Sequence, residues 1–259
     1  MATELDAREL ERTVKAVYRT VATAPDEPSP VEMGHEVAER LGYPPAELDR
    51  VPSEAIDSFV GVGYHLDLAA IAPGDRVLDL GSGSGLDAFL AALYAGSTGQ
   101  VTGLDMTIEQ VTMARQLRDQ GGFDTVTFEQ GYIEELPFEN DAFDVVLANG
   151  TITLSARKHQ TLQEACRVVA PYGRLAISEL VAEEELPVPI RTDAELWAAG
   201  VGGAMDATAY LDAIEDAGFE VIVLRENPEY EGRTDRIRDL CRRYGVKSAS
   251  LSARKRDKK

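Results

Sequence analysis

Ten residues, Arg76-Val77-Leu78-Asp79-Leu80-Gly81-Ser82-Gly83-Ser84-Gly85, constrain this chain more than any other stretch. Val77, Leu78 and Leu80 form a short apolar run, the pattern of a strand covered on both faces. Gly81, Gly83 and Gly85 follow, so the backbone can bend sharply and a ligand can approach it without meeting a Cβ. The helix predicted from Leu86 to Ala95 turns its positive N-terminal end toward that bend. Two well-known variants do not fit. The dinucleotide fingerprint G-x-G-x-x-G would place its third glycine where Leu86 stands, and a phosphate-binding loop would need a lysine that does not follow.

Around this unit, strand and helix patterns alternate. Strands are predicted at Arg76–Leu80, Val101–Asp105, Val126–Glu129, Phe143–Asn149, Arg174–Leu180, Phe219–Leu224 and Val246–Ala253. Helices fall between them at Leu86–Ala95, Thr107–Gln120, Arg157–Ala170, Thr208–Ala217 and Asp235–Tyr244. Thr107 reads as an N-cap with Gln110 three residues on, and Pro171-Tyr172-Gly173 reads as a helix stop. This alternation implies an α/β fold with a doubly wound, mostly parallel, seven-stranded Rossmann-like sheet. Residues 1–70 read as a helical N-terminal cap. It starts with an amphipathic helix from Leu5 to Thr23 that carries Leu10, Val14, Val17 and Val21 on one face. A proline-rich linker, Pro25 to Pro30, follows, then a short helix from Val31 to Leu41 and a turn from Pro44 to Leu48. Residues 71–259 form the main domain, with an insertion at about 183–207 that helps to close a pocket. The basic end, Arg254 to Lys259, reads as a solvated tail.

Bulk properties narrow the partners. Acids outnumber bases 45 to 26, a formal charge of −19, which repels polyanions: no nucleic acid and no anionic membrane is expected as a partner. No apolar run reaches the length of a membrane span, and Met1 to Arg12 is unlike a signal peptide. Cys166 and Cys241 make neither a disulfide framework nor a zinc pattern, so no metal is expected and a cytoplasmic location is the default. Oligomeric state is not legible.

In open α/β sheets, ligands bind beyond the carboxyl ends of the strands. Asp79 lies in the first strand, and the second strand ends in an acid: Val101-Thr102-Gly103-Leu104-Asp105. With the glycine turn, this resembles the first two motifs of class I S-adenosylmethionine-dependent methyltransferases. The resemblance implies that the turn, with Asp79, Gly81, Ser82, Gly83 and Gly85, holds the methionine part of S-adenosyl-L-methionine. Asp105 would take both ribose hydroxyls, a task suited to a carboxylate because it accepts two hydrogen bonds at once. Met106, Gly131, Tyr132 and Ile133 would frame adenine, and Asn149 would end near the transferred methyl. S-adenosyl-L-homocysteine would be the product.

Several segments narrow the resemblance to arsenite methyltransferases and their homologues. They are Val101 to Val111, Gly131-Tyr132-Ile133-Glu134, Gln163 to Val168, Leu186-Pro187 with Ile190-Arg191, and Gly202-Gly203-Ala204. That family binds trivalent arsenic through cysteine thiolates, which suit a soft centre. At the matching positions this chain carries Val62, Gly150 and Gly200. The resemblance therefore implies a methyltransferase scaffold without the arsenic site and an organic small-molecule substrate. Val62, Gly150, Trp197 and Gly200 would line its pocket. Arsenite methylation is an alternative, and so is a non-catalytic protein that binds the donor as a sensor or partner subunit. The run Asn149-Gly150-Thr151-Ile152 lacks the Asn/Asp-Pro-Pro-aromatic pattern of DNA amino-methylating enzymes. A hydroxyl or carbon-acid acceptor would need a base. Tyr64, His65, Tyr132 and Glu179 are the polar candidates expected near the mouth, while His159 reads as solvated.

Overall fold

The computed structural model describes residues 7–24, 29–228 and 230–256. The expected helix start at Leu5, residues 25–28 of the linker and residues 257–259 of the basic end lie outside the described residues. Helix α1 (Ala7–Thr23) is followed by four short helices, α2 (His35–Arg40), α3 (Pro45–Leu48), α4 (Ser53–Asp57) and α5 (Leu66–Ala69). Strand β1 (Arg76–Leu80) leads through the glycine turn into α6 (Leu86–Ala95). Then come β2 (Gln100–Asp105), α7 (Ile108–Gly121), β3 (Val126–Gln130), β4 (Phe143–Asn149), α8 (Lys158–Val168) and β5 (Val169–Ala182). The insertion holds α9 (Val188–Arg191), α10 (Ala194–Ala198) and the two-residue β6 (Met205–Asp206). The chain closes with α11 (Ala207–Asp216), β7 (Phe219–Asn227), α12 (Asp235–Tyr244) and β8 (Lys247–Lys255).

The strand order is β3-β2-β1-β4-β5-β8-β7, with β6 beside β5. Pairings from β3 through β5 are parallel, and β8 runs antiparallel to both β5 and β7. The seven expected strands form this path, and the insertion adds β6 as an eighth. Order reverses between β1 and β4, so the crevice beyond their carboxyl ends opens where the glycine turn lies. Val77, Leu78, Leu80, Val145, Val146 and Leu147 are all fully buried, which explains why β1 and β4 read as continuous apolar runs. On one face, Phe89 and Phe128 share a core with Leu41, Tyr43, Ile56 and Phe59 of the front helices. On the other, Leu162 and Phe219 pack against Leu78, Leu80 and Ile177.

Three local expectations are corrected. Pro171-Tyr172-Gly173 does not separate a helix from a strand: α8 stops at Val168, and the triplet lies inside β5. The register with β4 jumps from Phe143–Val169 to Val145–Arg174, and Tyr172 takes φ 63°, so the extra residues bulge outward. Thr107 precedes α7 in extended conformation, but its side chain makes no capping bond. Its own N–H goes to Asp105 Oδ1, and Gln110 bonds Ser84 and the Tyr18 carbonyl instead. The basic end is anchored as far as it is described. Lys255 is 8 % exposed and donates to Asp141 Oδ1 at 2.6 Å, and Arg256 pairs with Glu215 at 3.0 Å. Pairing of β8 with both β5 and β7 carries Lys255 onto the sheet.

Candidate active site

Beyond Leu80 the backbone enters the left-handed region, with φ 69° at Gly81 and 101° at Gly85. A Cβ on Gly81 would meet the Thr151 side chain at 2.1 Å, and one on Gly85 would meet Phe128 at 2.6 Å. Both positions therefore require glycine for conformation and for space. The turn is braced from β2. Asp105 accepts the Gly83 N–H at 3.0 Å on Oδ2 and the Thr107 N–H at 2.8 Å on Oδ1. Burial raises the Asp105 pKa, and these two backbone donors oppose the rise.

The turn opens onto a cavity of about 470 Å³. Every residue expected to hold the donor borders it: Asp79, Gly81, Ser82, Gly83, Gly85, Asp105, Met106, Gly131, Tyr132, Ile133 and Asn149. Asp79 is 3 % exposed, and its Oδ2 has no hydrogen-bond partner. Burial, then the neighbouring Asp87 and Asp105 carboxylates, push its pKa well above the usual range. The buried Ser82 Oγ is likewise unpartnered. Asn149 is committed to structure: its amide donates to Tyr43 Oη and the Gly63 carbonyl, both at 2.9 Å, and its Oδ1 accepts the Val62 N–H at 2.9 Å. It ties the loop before β1 to the end of β4.

The sequence reading places a helical cap at the front but assigns no residue of its first helix to the site. Leu10, Glu11, Val14 and Tyr18 of α1 line the cavity. The signal was present, since Leu10, Val14 and Tyr18 recur every four residues. Val17, read as part of the buried face, is only partly covered. Lys15 donates to Tyr132 Oη at 2.6 Å, Tyr132 donates to Glu11 at 3.0 Å, and Arg19 pairs with Glu109 at 2.7 Å, so polar ties fasten the helix along its length.

A second, smaller cavity of about 40 Å³ lies behind the first, lined in part by Val62, Leu180, Ala199 and Gly200. Tyr18, Val60 and Gly150 border both cavities. A Cβ on Gly150 would stand 3.4 Å from Val62 Cγ1, so those two positions adjoin. Trp197 borders neither cavity. Its indole N–H bonds the Leu154 carbonyl at 2.9 Å, and Lys158 Nζ sits 4.5 Å from its ring centre.

Of the four candidate bases, Tyr132 alone lines the large cavity. His65 is fully buried with no hydrogen-bond partner at either ring nitrogen, and burial lowers its pKa. Tyr64 meets Tyr94 across 3.2 Å between hydroxyls. Glu179 is 1 % exposed and receives the N–H groups of Ile152 at 2.8 Å and Thr153 at 2.9 Å. These three were expected at the mouth, but packing of the front loop and of the turn after β4 draws them inside. His159 is exposed on α8.

Comparison with known proteins agrees with this architecture. The methyltransferase-domain family pattern matches residues 71–228. An arsenite methyltransferase of Halobacterium salinarum is 36% identical over 221 residues, covering 84% of this chain and 56% of its own length. A ubiquinone/menaquinone biosynthesis C-methyltransferase of Vibrio campbellii is 34% identical over 117 residues, 45% of each chain. The crystal structure of an arsenic(III) S-adenosylmethionine methyltransferase from Chlamydomonas reinhardtii aligns with a TM-score of 0.69 at 31% identity, over 87% of this chain and 75% of that one. The chain spans about half the length of the curated relatives it matches. With its glycine turn, its strand-end acid and its sheet order, the chain belongs to the S-adenosylmethionine-dependent methyltransferase family, in the arsenite-methyltransferase-like group.

Proposed function

We propose that this protein is a methyltransferase that moves the methyl group of S-adenosylmethionine to an organic small molecule. The observation that carries the reading is a single cavity joining the glycine turn, the strand-end acid Asp105 and the Tyr132–Ile133 wall. The residues fit the donor. The unpartnered Asp79 and Ser82 oxygens suit the ammonium and carboxyl end, Asp105 suits a ribose diol, and Met106 and Ile133 offer apolar walls to a flat base. When bound, S-adenosylmethionine supplies an electrophilic methyl on a cationic sulfur, with a neutral thioether as leaving group. The share of the chain is alignment and exclusion of water, effects worth up to ~7–11 kcal/mol in well-oriented reactions.

The lining of the smaller cavity supports an organic acceptor. Val62 and Leu180 give the cavity an apolar wall, and Gly150 and Gly200 add no side chain. Cys166 and Cys241 line neither cavity, and burial pushes the Cys241 thiol up to about 11, away from the thiolate that trivalent arsenic requires. A C-methyltransferase of quinone biosynthesis among the relatives acts on an organic acceptor. The arsenite reading rests on the names of other relatives and is the alternative to test.

Calorimetry should detect binding of both S-adenosylmethionine and S-adenosylhomocysteine. Asp105→Ala should weaken each by about 10- to 100-fold, the value of a hydrogen bond to a charged group. Unchanged affinity would sink the ribose assignment. Arsenite with thiol should neither raise the melting temperature nor be methylated. Turnover of arsenite by the Cys166→Ser, Cys241→Ser protein would replace the organic acceptor by arsenic.

A further inference from the structure

The two edges of the sheet differ. The β3 edge shows Thr127, Glu129 and Gln130 to solvent, polar residues that discourage further pairing. The β7 edge shows three consecutive apolar side chains instead: Ile222 is 51 %, Val223 40 % and Leu224 52 % exposed. Among the described residues no strand pairs with the outer side of β7. The backbone N–H and C=O groups on that side form a template for one more strand, and the apolar run gives that strand something to bury.

A bulge decides which strand fits. Val221 pairs with Ala253 and Val223 with Ser252, so Ile222 is an extra residue and the alternation of faces along β7 breaks there once. Before the break, Val221 shares the face of Ala253 and Glu220 that of Arg254. After it, Leu224 shares the face of Leu251 and Arg225 that of Ser250. Ala253 and Leu251 belong to one apolar face, the one packed with Leu162 and Phe219. A regular strand laid along this edge matches faces on only one side of the break. A second copy, antiparallel about a two-fold axis between Ile222 and Val223, carries the same break at the same place. Ile222 then lies opposite Val223, Val221 opposite Leu224 and Glu220 opposite Arg225, and the last two pairs each share a face. Asp67 and the Tyr64 carbonyl hold the Arg225 guanidinium in place, and the axis gives its pairing with Glu220 twice. A shift of one residue would set Glu220 against Glu226 and Val221 against Arg225.

We propose that β7 is a self-association edge, through which two copies of this chain pair antiparallel, in this register, into one continuous sheet. Because β8 is antiparallel to both neighbours, β7 runs parallel to β5. The carboxyl ends of the parallel strands therefore point opposite ways in the two copies, and each copy keeps its own glycine turn and cavity. The formal charge of −19 on each chain opposes association at long range, so salt strengthens the pair.

Sedimentation of the full chain over a roughly hundredfold range of concentration, at low and at high salt, tests this. The expected result is a monomer–dimer equilibrium that tightens with salt. Ile222→Lys sets a charge on each side of the axis and should weaken the dimer about tenfold or more, with an unchanged circular dichroism spectrum showing that the variant folds. Cross-linking reads the register in a chain with Cys166 and Cys241 replaced by serine. Val221→Cys mixed with Leu224→Cys should form a disulfide between copies, and neither variant should do so alone, because only opposed positions come close enough. A monomer at every concentration and salt, or a dimer untouched by Ile222→Lys, would overturn the proposal. So would cross-linking of Val221→Cys to itself as readily as to Leu224→Cys, since it places the copies in another register.

Discussion

Asp79 shows how much a single buried oxygen can say. Its Oδ2 lies without a partner beside the glycine turn, and its pKa is held well above the carboxylate range by burial, then by Asp87 and Asp105. A raised carboxyl pKa means that the folded chain holds the proton more tightly than the unfolded one. That stability is complete below the unfolded value and is lost as pH climbs from there through the folded value. Asp79→Asn carries no charge at any pH, so its melting temperature should match the parent near pH 4 and exceed it at pH 7.5. Relief of an unsatisfied buried group is worth about 1–3 kcal/mol, or roughly 2–4 °C per kcal/mol in a chain of this size. A variant melting no higher than the parent at pH 7.5 would show that the buried charge carries no penalty. Asp79 and Asp105 were legible beforehand because their places relative to a strand and its glycines are local. The burial of His65 and Glu179 was not, because neither residue has a neighbour in sequence that announces it.

At the scale of elements, the turn after β4 is the piece that most needs outside support. Glu179 of β5 receives two of its backbone N–H groups, Trp197 of α10 holds the Leu154 carbonyl and Lys158 of α8 holds the Ser155 carbonyl at 2.7 Å. Gly150, Thr151 and Leu154 of the same segment line the large cavity, so this bracing sets one wall of the site. Glu179→Ala leaves buried donors unpaired and should cost about 2–4 kcal/mol of stability by chemical denaturation, with partial rescue by Glu179→Gln. A loss below about 1 kcal/mol would mean that the turn holds itself. The helix-strand rhythm of these elements was readable because period and turn chemistry are local signals. The bulge at Pro171-Tyr172-Gly173 was misread as a helix stop, since the same residue types punctuate both settings and only the pairing with β4 separates them.

For the whole molecule, α1 decides whether the site is a cleft or an enclosed cavity. It reaches the rest of the protein through α7 and α10 and places Tyr18 between the two cavities. Ligand should therefore tighten it. Hydrogen exchange across residues 7–23 should slow when S-adenosylhomocysteine is added, while the buried centres of β1 and β4, Val77–Leu80 and Val145–Ala148, stay unchanged. Equal exchange with and without ligand would make the helix a fixed wall.

The strand-turn-helix unit and the sheet class follow from the sequence itself, and eleven of the residues around the large cavity follow from it through a family resemblance. The first two depend on neighbours a few positions apart: apolar runs, glycines at forced turns and acids at strand ends. Tertiary structure alone decided the rest. It brought α1 over the cavity, set Val62, Gly150 and Gly200 around one smaller space and took Tyr64, His65 and Glu179 out of the site. Those outcomes depend on which surfaces meet when distant segments pack together, and spacing along the chain carries no record of that.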